Sequence, residues 1–224
     1  MNKVKKKMSL VLGLLVVLSS FFLLTGCGQN QADKSGGSAK TAKMSQDFNS
    51  SEIEKFNIDS GIMDVQIEKG ETLHFDIKYI KERKPTIAVK DKTLNFDSKT
   101  KDLSNNDKKL NLKITLPTDK EFIDFKLTQS NGEAKIQELK TQSLTIGSGN
   151  GDIKIDKLIV TKASSISNGN GSVELNNLTA PGLNISVGNG SISVHGKEAK
   201  RKYQEGNQKE VLKITSGNGN IEIK

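Results

Sequence analysis

The sequence has no tryptophan, two histidines and a single cysteine, and aromatic residues make up only 4% of it. One cysteine excludes an intramolecular disulfide, so the stability of the folded part must come from packing. So few rings argue against a core built around large aromatic side chains. His74 and His195 stand apart from any cluster of metal-ligand residue types, so the sequence predicts no metal site and no cofactor.

Acidic residues are absent from the start of the chain. The formal net charge is +8, but four of the lysines lie within residues 1–26, which contain no acid, so the chain from Cys27 onwards carries only +4. Such a mild excess is typical of a solvated, lysine-rich surface. We therefore expect no nucleic-acid partner.

Residues 1–26 have the three parts of an export signal. A lysine-rich segment precedes the apolar run at 8–24, which by itself also fits a short transmembrane helix. The ending decides between them, because Leu24-Thr25-Gly26-Cys27 resembles the bacterial lipobox, in which small residues precede the cysteine. The resemblance implies a signal peptide over 1–26, cleavage after Gly26, and lipid attachment at Cys27 through acyl chains such as palmitate.

Residues 28–47 hold almost no apolar side chains. Such a composition cannot bury enough surface to fold, so 27–48 is predicted to be the lipidated cysteine and a flexible tether, with a span of roughly 25 Å. We expect the folded body, 49–224, to stand on the extracytoplasmic face of the cell membrane, held there by the lipid anchor.

The second half of the chain repeats the dipeptide Asn-Gly at steps of 19, 20, 19 and 29 residues. Apolar residues recur at fixed distances on both sides of each pair, with polar residues between them, as in Ile153-Lys154-Ile155. This alternation is the signature of strands with one buried face, and Asn-Gly accepts the positive φ of a tight turn. The turn glycines, expected to be structural, are Gly132, Gly151, Gly171, Gly190 and Gly219.

These units predict an all-β fold, a β-solenoid similar to a single-stranded parallel β-helix, with two short strands per coil of about 20 residues. A meander of antiparallel hairpins is the alternative. We favour the solenoid because like residues recur one whole unit apart. Regular repeats occupy 121–224, whereas 49–120 is expected to form an atypical N-terminal part that covers one end of the stack.

The order of the motifs resembles a known bacterial family. A Leu-x-Ile-x-Leu-Pro strand at 112–117 is followed by repeated Gly-Asp-Ile-x-Ile or Asn-Gly-x-Ile-x-Val units. This order, over about 49–224, is similar to the adhesin-like proteins with β-strand repeats, sometimes called toast-rack proteins. The resemblance implies a β-solenoid at the cell surface, often linked to envelope-stress regulators, with no agreed catalytic residues. The 29-residue step before the last unit departs from the family's pattern.

A calcium-binding β-roll is a rival interpretation of the glycine-rich turns, but it needs an aspartate in every turn. Here only two of the five residues that follow the turn glycines are acidic, and these five are Glu133, Asp152, Ser172, Ser191 and Asn220. We expect turn geometry, rather than metal binding, to explain the glycines.

The function predicted from these features is a non-catalytic binding or scaffold module of the cell envelope. The alternative is a polysaccharide-active enzyme on a β-helix, which would draw its acids and bases from Asp152, Asp156, Glu174 and Lys154. An enzyme would show a cleft with clustered carboxylates and aromatic rings. A scaffold would show a flat surface of serine, asparagine and lysine.

One segment breaks the repeat. The long step before the last unit inserts about ten residues and brings together Lys197, Lys200, Arg201 and Lys202. A tolerated loop is one interpretation. The other is a basic patch for an anionic envelope polymer or for lipid headgroups. Another envelope protein is the remaining candidate partner.

Overall fold

The computed structural model describes residues 39–224, which form 19 β-strands and one short 3₁₀ turn, Ser50–Glu52. The strands of the first part are β1 (Thr41–Phe48), β2 (Lys55–Gly61), β3 (Asp64–Gly70), β4 (Leu73–Ile80), β5 (Thr86–Lys90), β6 (Thr93–Asp97) and β7 (Asn111–Pro117). The others are β8 (Phe122–Asn131), β9 (Ala134–Ile136), β10 (Leu139–Asn150), β11 (Ile153–Val160), β12 (Ser164–Asn170), β13 (Val173–Thr179), β14 (Gly182–Asn189), β15 (Ile192–Val194), β16 (Lys197–Ala199), β17 (Lys202–Gly206), β18 (Leu212–Asn218) and β19 (Ile221–Ile223). Within 39–224 there is no helix with the length and hydropathy that a membrane crossing requires.

The strands pair into one curled sheet with two faces. On the first face the neighbours run β5, β6, β2, β8, β10, β12, β18, β14 and β17. On the second face they run β1, β4, β7, β3, β9, β11, β13, β19, β15 and β16. Residues 139–141 of β10 pair with 158–160 of β11 and join the two faces. A coil is one first-face strand and the second-face strand that follows it.

Equivalent residues of neighbouring coils lie side by side in parallel strands. Ile146 pairs with Leu127 on one side and with Ile166 on the other, and Ile155 lies between Ile136 and Leu175 in the same way. Because sheet neighbours are about 4.8 Å apart, apolar rows fill the interior along the stack. The predicted solenoid with two strands per coil is confirmed, and the hairpin meander is excluded for the repeats by their parallel pairing.

The coils do not stack in chain order. The last coil, β18–β19, lies between β12–β13 and β14–β15. After β13 the chain therefore leaves space for one coil, forms β14–β15 beyond it, and then returns to fill that space with β18–β19. At the other end, β2–β3 lies between β6–β7 and β8–β9. The 29-residue step in the sequence is therefore the length of chain needed to double back. The coils β2–β3 and β18–β19 thus each lie one coil inside the stack.

Antiparallel strands cover both ends of the stack. At the N-terminal end, β5 pairs with β6, while β4 pairs with β7 and carries β1 on its outer edge. At the C-terminal end, β17 pairs with β14 and β16 pairs with β15. An open parallel coil would present unpaired N–H and C=O groups for pairing with other chains, and these short strands replace that edge.

Strand β1 corrects the predicted tether. Residues 41–48 pair with β4 along their whole length, from Thr41 opposite Ile80 to Phe48 opposite Leu73. The inward side chains of β1, among them Met44 and Phe48, pack against the core, and the Phe48 and Phe75 rings meet edge to face at 5.4 Å. Composition alone predicts a polar tether here because the apolar residues of β1 are few. The rest of the predicted tether, through residue 38, and the signal peptide lie outside the described residues.

The core changes character along the stack. In the first part and its junction with the repeats, five phenylalanines are fully buried, and the Phe56 ring lies 4.8 Å from Phe122 and 5.2 Å from Phe125. The regular coils use aliphatic rows instead. The expectation of a core without large rings is thus correct for the coils from β10 onwards and wrong for the first part and for β8.

Polar side chains also enter the interior, three residues before four of the five turn glycines, the exception being Val187 before Gly190. Gln129, Ser148, Asn168 and Ser216 are almost completely buried there. Asn168 Nδ2 donates to the Gly151 carbonyl at 2.9 Å, and Ser216 Oγ donates to the Gly171 carbonyl at 3.2 Å. Each bond ties a side chain to the turn of the next coil, which satisfies turn carbonyls that the sheet ladder does not reach.

Candidate functional site

The corner where the two faces meet carries a ladder of asparagine side chains. Four of the five side-chain amides donate to the side-chain oxygen of the asparagine in the adjoining coil, at 2.6–2.7 Å. Asn131 Nδ2, at the end of the ladder, donates to the Ser104 carbonyl at 3.0 Å. In spatial order the ladder runs Asn131, Asn150, Asn170, Asn218 and Asn189. Its order follows the stack and not the chain. The asparagines therefore bond the coils to one another in addition to forming the turns.

The predicted turn glycines all have positive φ, between +121° and +138°. At Gly151, Gly171, Gly190 and Gly219 an added Cβ would lie 2.0–2.3 Å from a glycine carbonyl oxygen of the adjoining coil. These positions thus require glycine for the close approach of coils as well as for the turn.

A second row of glycines stands two residues earlier, at Gly149, Gly169, Gly188 and Gly217, where a Cβ would lie 2.3–2.5 Å from a carbonyl oxygen of the adjoining coil. The prediction from sequence missed this row, although Gly-Asn-Gly recurs four times. The recurrence was the available signal.

Side chains that follow the turn glycines bond across coils. Asp152 Oδ1 accepts the Ser172 N–H at 2.7 Å, and Asn220 Oδ1 accepts the Ser191 N–H at 3.0 Å. An oxygen acceptor is useful at this position whether or not it is charged, which explains why only some of these residues are acidic. Within 39–224 no group of three histidine, cysteine, aspartate or glutamate side chains is arranged to hold a metal ion.

The carboxylates considered for catalysis are also engaged by neighbouring coils. Asp156 Oδ1 accepts from Asn176 Nδ2 at 2.9 Å, and Glu174 Oε1 lies 2.9 Å from Lys224 Nζ and 3.4 Å from Lys154 Nζ. The Lys224 ammonium holds the pKa of Glu174 below its usual value, with Lys154 adding to the effect. A general acid needs the opposite, a carboxyl that stays protonated.

A cleft of about 190 Å³ lies beside the inserted segment, between Leu178, Pro181 and Leu183 on one side and His195 and Glu205 on the other. Glu205 is the one carboxylate among its lining residues, and no phenylalanine, tyrosine or tryptophan ring lines it. The cleft lacks the paired carboxylates with which glycosidases work.

The two histidines are at opposite ends of the stack. His195 follows β15, is exposed, and has a φ of +49°. His74 lies in β4 between two carboxylates, with Nδ1 2.7 Å from Asp47 and Nε2 3.2 Å from Asp76. The hydrogen bond with Asp47 raises the pKa of His74, partial burial opposes it, and Asp76 adds to the rise. His74 thus couples β1 to the body.

The inserted segment is an ordered cap. Lys197 lies in β16 on the second face, and Lys202 lies in β17 on the first face, while Lys200 and Arg201 connect the two strands. All four side chains are exposed. The structure therefore distributes the predicted basic patch over two faces, and it replaces the tolerated loop with strands that extend the sheet. Cys27, the predicted lipid attachment site, lies outside the described residues.

A family model described as Toastrack DUF4097 matches residues 53–224. The chain belongs to the Toastrack family. The family resemblance inferred from the motifs is thereby confirmed. The matched range includes all strands of this Toastrack chain from β2 to β19.

The chain is also similar to solved structures. A candidate cell adhesion protein from Clostridium sporogenes ATCC 15579 is 20% identical, with a TM-score of 0.58 over 82% of this chain and 99% of that chain. A candidate adhesin from Bacteroides fragilis NCTC 9343 is 17% identical, with a TM-score of 0.39 over 84% of this chain and 98% of that chain. No curated protein matches the sequence. At these identities the Clostridium likeness shows the fold alone.

Proposed function

We propose that this Toastrack chain is a lipid-anchored, extracytoplasmic module of the cell envelope that binds or scaffolds without catalysis, in the manner of an adhesin. The observation that carries the non-catalytic part is the use of the outward carboxylates. Asp152, Asp156 and Glu174 are each bonded to a neighbouring coil, as a stacking surface requires. A surface built in this way offers repeated hydrogen-bonding rows rather than a reactive centre.

The anchoring part of the proposal rests on the lipobox, Leu24-Thr25-Gly26-Cys27. Two or more acyl chains on one cysteine give stable attachment to a bilayer, whereas a single chain gives marginal attachment. Since β1 begins at Thr41, residues 28–40 would connect the anchor to the folded body. That connection enters the sheet at Thr41, opposite Ile80, while His74 and Asp47 bond β4 to β1 near the other end of β1.

The anchor is tested by detergent-phase partition of cells that express the wild-type chain or Cys27→Ala. We expect the wild-type protein in the detergent phase and accessible to protease on intact cells, and the variant in the aqueous phase. Partition of Cys27→Ala into the detergent phase would refute lipid attachment at this residue.

The non-catalytic part is tested by incubating the full chain with envelope polysaccharides and measuring new reducing ends. We expect none above a heat-inactivated sample. Turnover that disappears in Asp156→Asn or Glu174→Gln would establish the enzyme in place of the scaffold.

A further inference from the structure

Two outward rows of side chains cross the first face from β8 to the C-terminal end of the stack. The first row consists of Thr128, Gly147, Ser167, Thr215, Ser186 and Lys202, and the second of Lys126, Thr145, Ser165, Lys213, Asn184 and Gln204. Both rows run perpendicular to the strands, with one residue from each strand. Apart from Gly147, their members are short hydroxyl or amide side chains interrupted by lysines.

From β8 onwards the rows are cationic and contain no carboxylate, and the first carboxylate beyond them is Asp59 of β2, the sheet neighbour of Thr128. Lys126, Lys202 and Lys213 form no ion pair with any other residue of 39–224. The second face differs, since Lys113 lies 2.8 Å from Glu68, and Lys154 and Lys224 share Glu174. These three second-face lysines are paired within the protein, whereas the three lysines of the rows are left for a partner.

The coil order places two of these lysines. Lys213 belongs to the last coil, which lies between β12 and β14, so it stands between Ser165 and Asn184 in the second row. Lys202 belongs to β17, which pairs with β14 and puts Lys202 opposite Ser186. Neither position follows from the order of the repeats in the chain. The inserted segment thereby adds its charge to the repeats.

The rows also lack apolar and aromatic groups. The large hydrophobic side chains exposed in 39–224 are Val89 and Ile123, and neither lies in a row. Tyr203, which lies between Lys202 and Gln204 in β17, is opposite Ile185 and packs against the core. Proteins that settle on bilayers insert apolar side chains, and flat sugar rings pair well with aromatic faces. The rows offer neither.

We propose that the two rows bind a linear polymer of phosphodiester-linked polyol units, lying along the stack across the strands. Lysine ammonium groups pair with phosphates as point charges, and the serine, threonine and asparagine side chains exchange hydrogen bonds with polyol hydroxyls. The proposal rests on the proposed function as a binding module and specifies its ligand class.

The test measures binding of the full chain, held in a non-ionic detergent, to poly(glycerol phosphate) at low and high salt. We expect the triple variant Lys126→Ser, Lys202→Ser, Lys213→Ser to bind about 100-fold more weakly at low salt, since each basic residue near an anionic surface contributes roughly fivefold. The matched control is Lys113→Ser, Lys154→Ser, Lys224→Ser, which removes the same charge from the second face and should bind within about twofold of wild type. Circular dichroism checks that both variants are folded.

A second variant tests the hydroxyl groups. Ser167→Ala with Thr215→Val keeps every charge, and it should weaken poly(glycerol phosphate) binding while leaving binding to polyphosphate, which has no hydroxyls, unchanged. Equal losses in the two triple variants would overturn the site, as would stronger binding to phosphatidylglycerol vesicles or to hyaluronate than to the polyol polymer. Absence of polymer binding by a wild-type chain that still partitions with detergent would refute the ligand class and leave the anchoring proposal standing.

Discussion

Asn218 Nδ2 donates a hydrogen bond to Asn170 Oδ1 at 2.6 Å, although 48 residues separate them in the chain. On its other side, Asn218 Oδ1 accepts from Asn189 Nδ2 at 2.7 Å. The last coil is thus bonded on both sides to coils that precede it in sequence. A chain end placed in this way cannot fray without breaking two ladders at once.

The glycines of the corner give a first prediction. Gly171→Ala should lower the free energy of unfolding by at least about 2 kcal/mol, because φ is +124° and the new Cβ would lie 2.3 Å from the Gly151 carbonyl oxygen. The control is Gly147→Ala, where nothing lies within 4 Å of the added Cβ. That change should leave the free energy of unfolding unaltered or raise it by a few tenths of a kcal/mol. Chemical denaturation of both variants measures the difference, and equal midpoints would contradict the close approach of coils.

The alternation of β11 gives a second prediction. Ile155 is fully buried, whereas the Lys154 side chain is 45% exposed and pairs with Glu174. Ile155→Asp should cost several kcal/mol because the carboxylate is buried without a partner. Lys154→Ser should lower the free energy of unfolding by under about 0.5 kcal/mol, because a surface ion pair usually contributes little to stability. Thermal denaturation distinguishes them, and similar melting temperatures would mean that the register is wrong.

The repeats could be predicted from sequence because each carries its own local signal. Asn150-Gly151 marks a turn, and Ile153 and Ile155 alternate with polar residues, so strands, turn and inward face follow from one unit. Parallel stacking follows from the recurrence of like residues. These are local rules, and each unit satisfies them without reference to the others.

The coil order could not be predicted in the same way. Any two coils with matching rows can stack, so Ile214 fits between Ile166 and Ile185 as well as it would at the end. The order of the last coils depends on how β16 and β17 cover the end of the stack, and that covering depends on contacts between segments that are distant in sequence. Strand β1 was missed for a related reason, since its pairing with β4 supplies the order that its own composition does not indicate.

The docking of β1 should depend on pH through His74. Its pKa is raised above 6.5, mainly by Asp47, so the bonds made by the protonated ring are fully present below pH 6.5 and are lost as the pH rises through the raised value. The pKa of Asp76 is lowered, first by Ser45, so its contribution is lost only as the pH falls below 3.8. Hydrogen-exchange protection of residues 41–48 should therefore be greater at pH 5.5 than at pH 8.5.

Two histidine variants test this assignment. In His74→Gln the protection factors of β1 should no longer differ between the two pH values. In His195→Gln, which alters the other end of the stack, the difference should persist. If both variants behave alike, His74 does not control the docking of β1.

The coil order itself can be tested by crosslinking. Thr215 is the direct sheet neighbour of Ser167 on one side and of Ser186 on the other. Direct neighbours are about 4.8 Å apart, within the Cα separation that a disulfide spans, whereas Ser167 and Ser186 are two strands and about 10 Å apart. In a Cys27→Ser background, Ser167→Cys with Thr215→Cys should form an intramolecular disulfide on mild oxidation, and Ser167→Cys with Ser186→Cys should remain reduced.

Stacking in chain order would make β12 and β14 neighbours and reverse both results, because Thr215 would then lie beyond Ser186. Non-reducing electrophoresis after proteolysis between positions 186 and 215 reads out the first pair, and thiol counting under denaturing conditions reads out both.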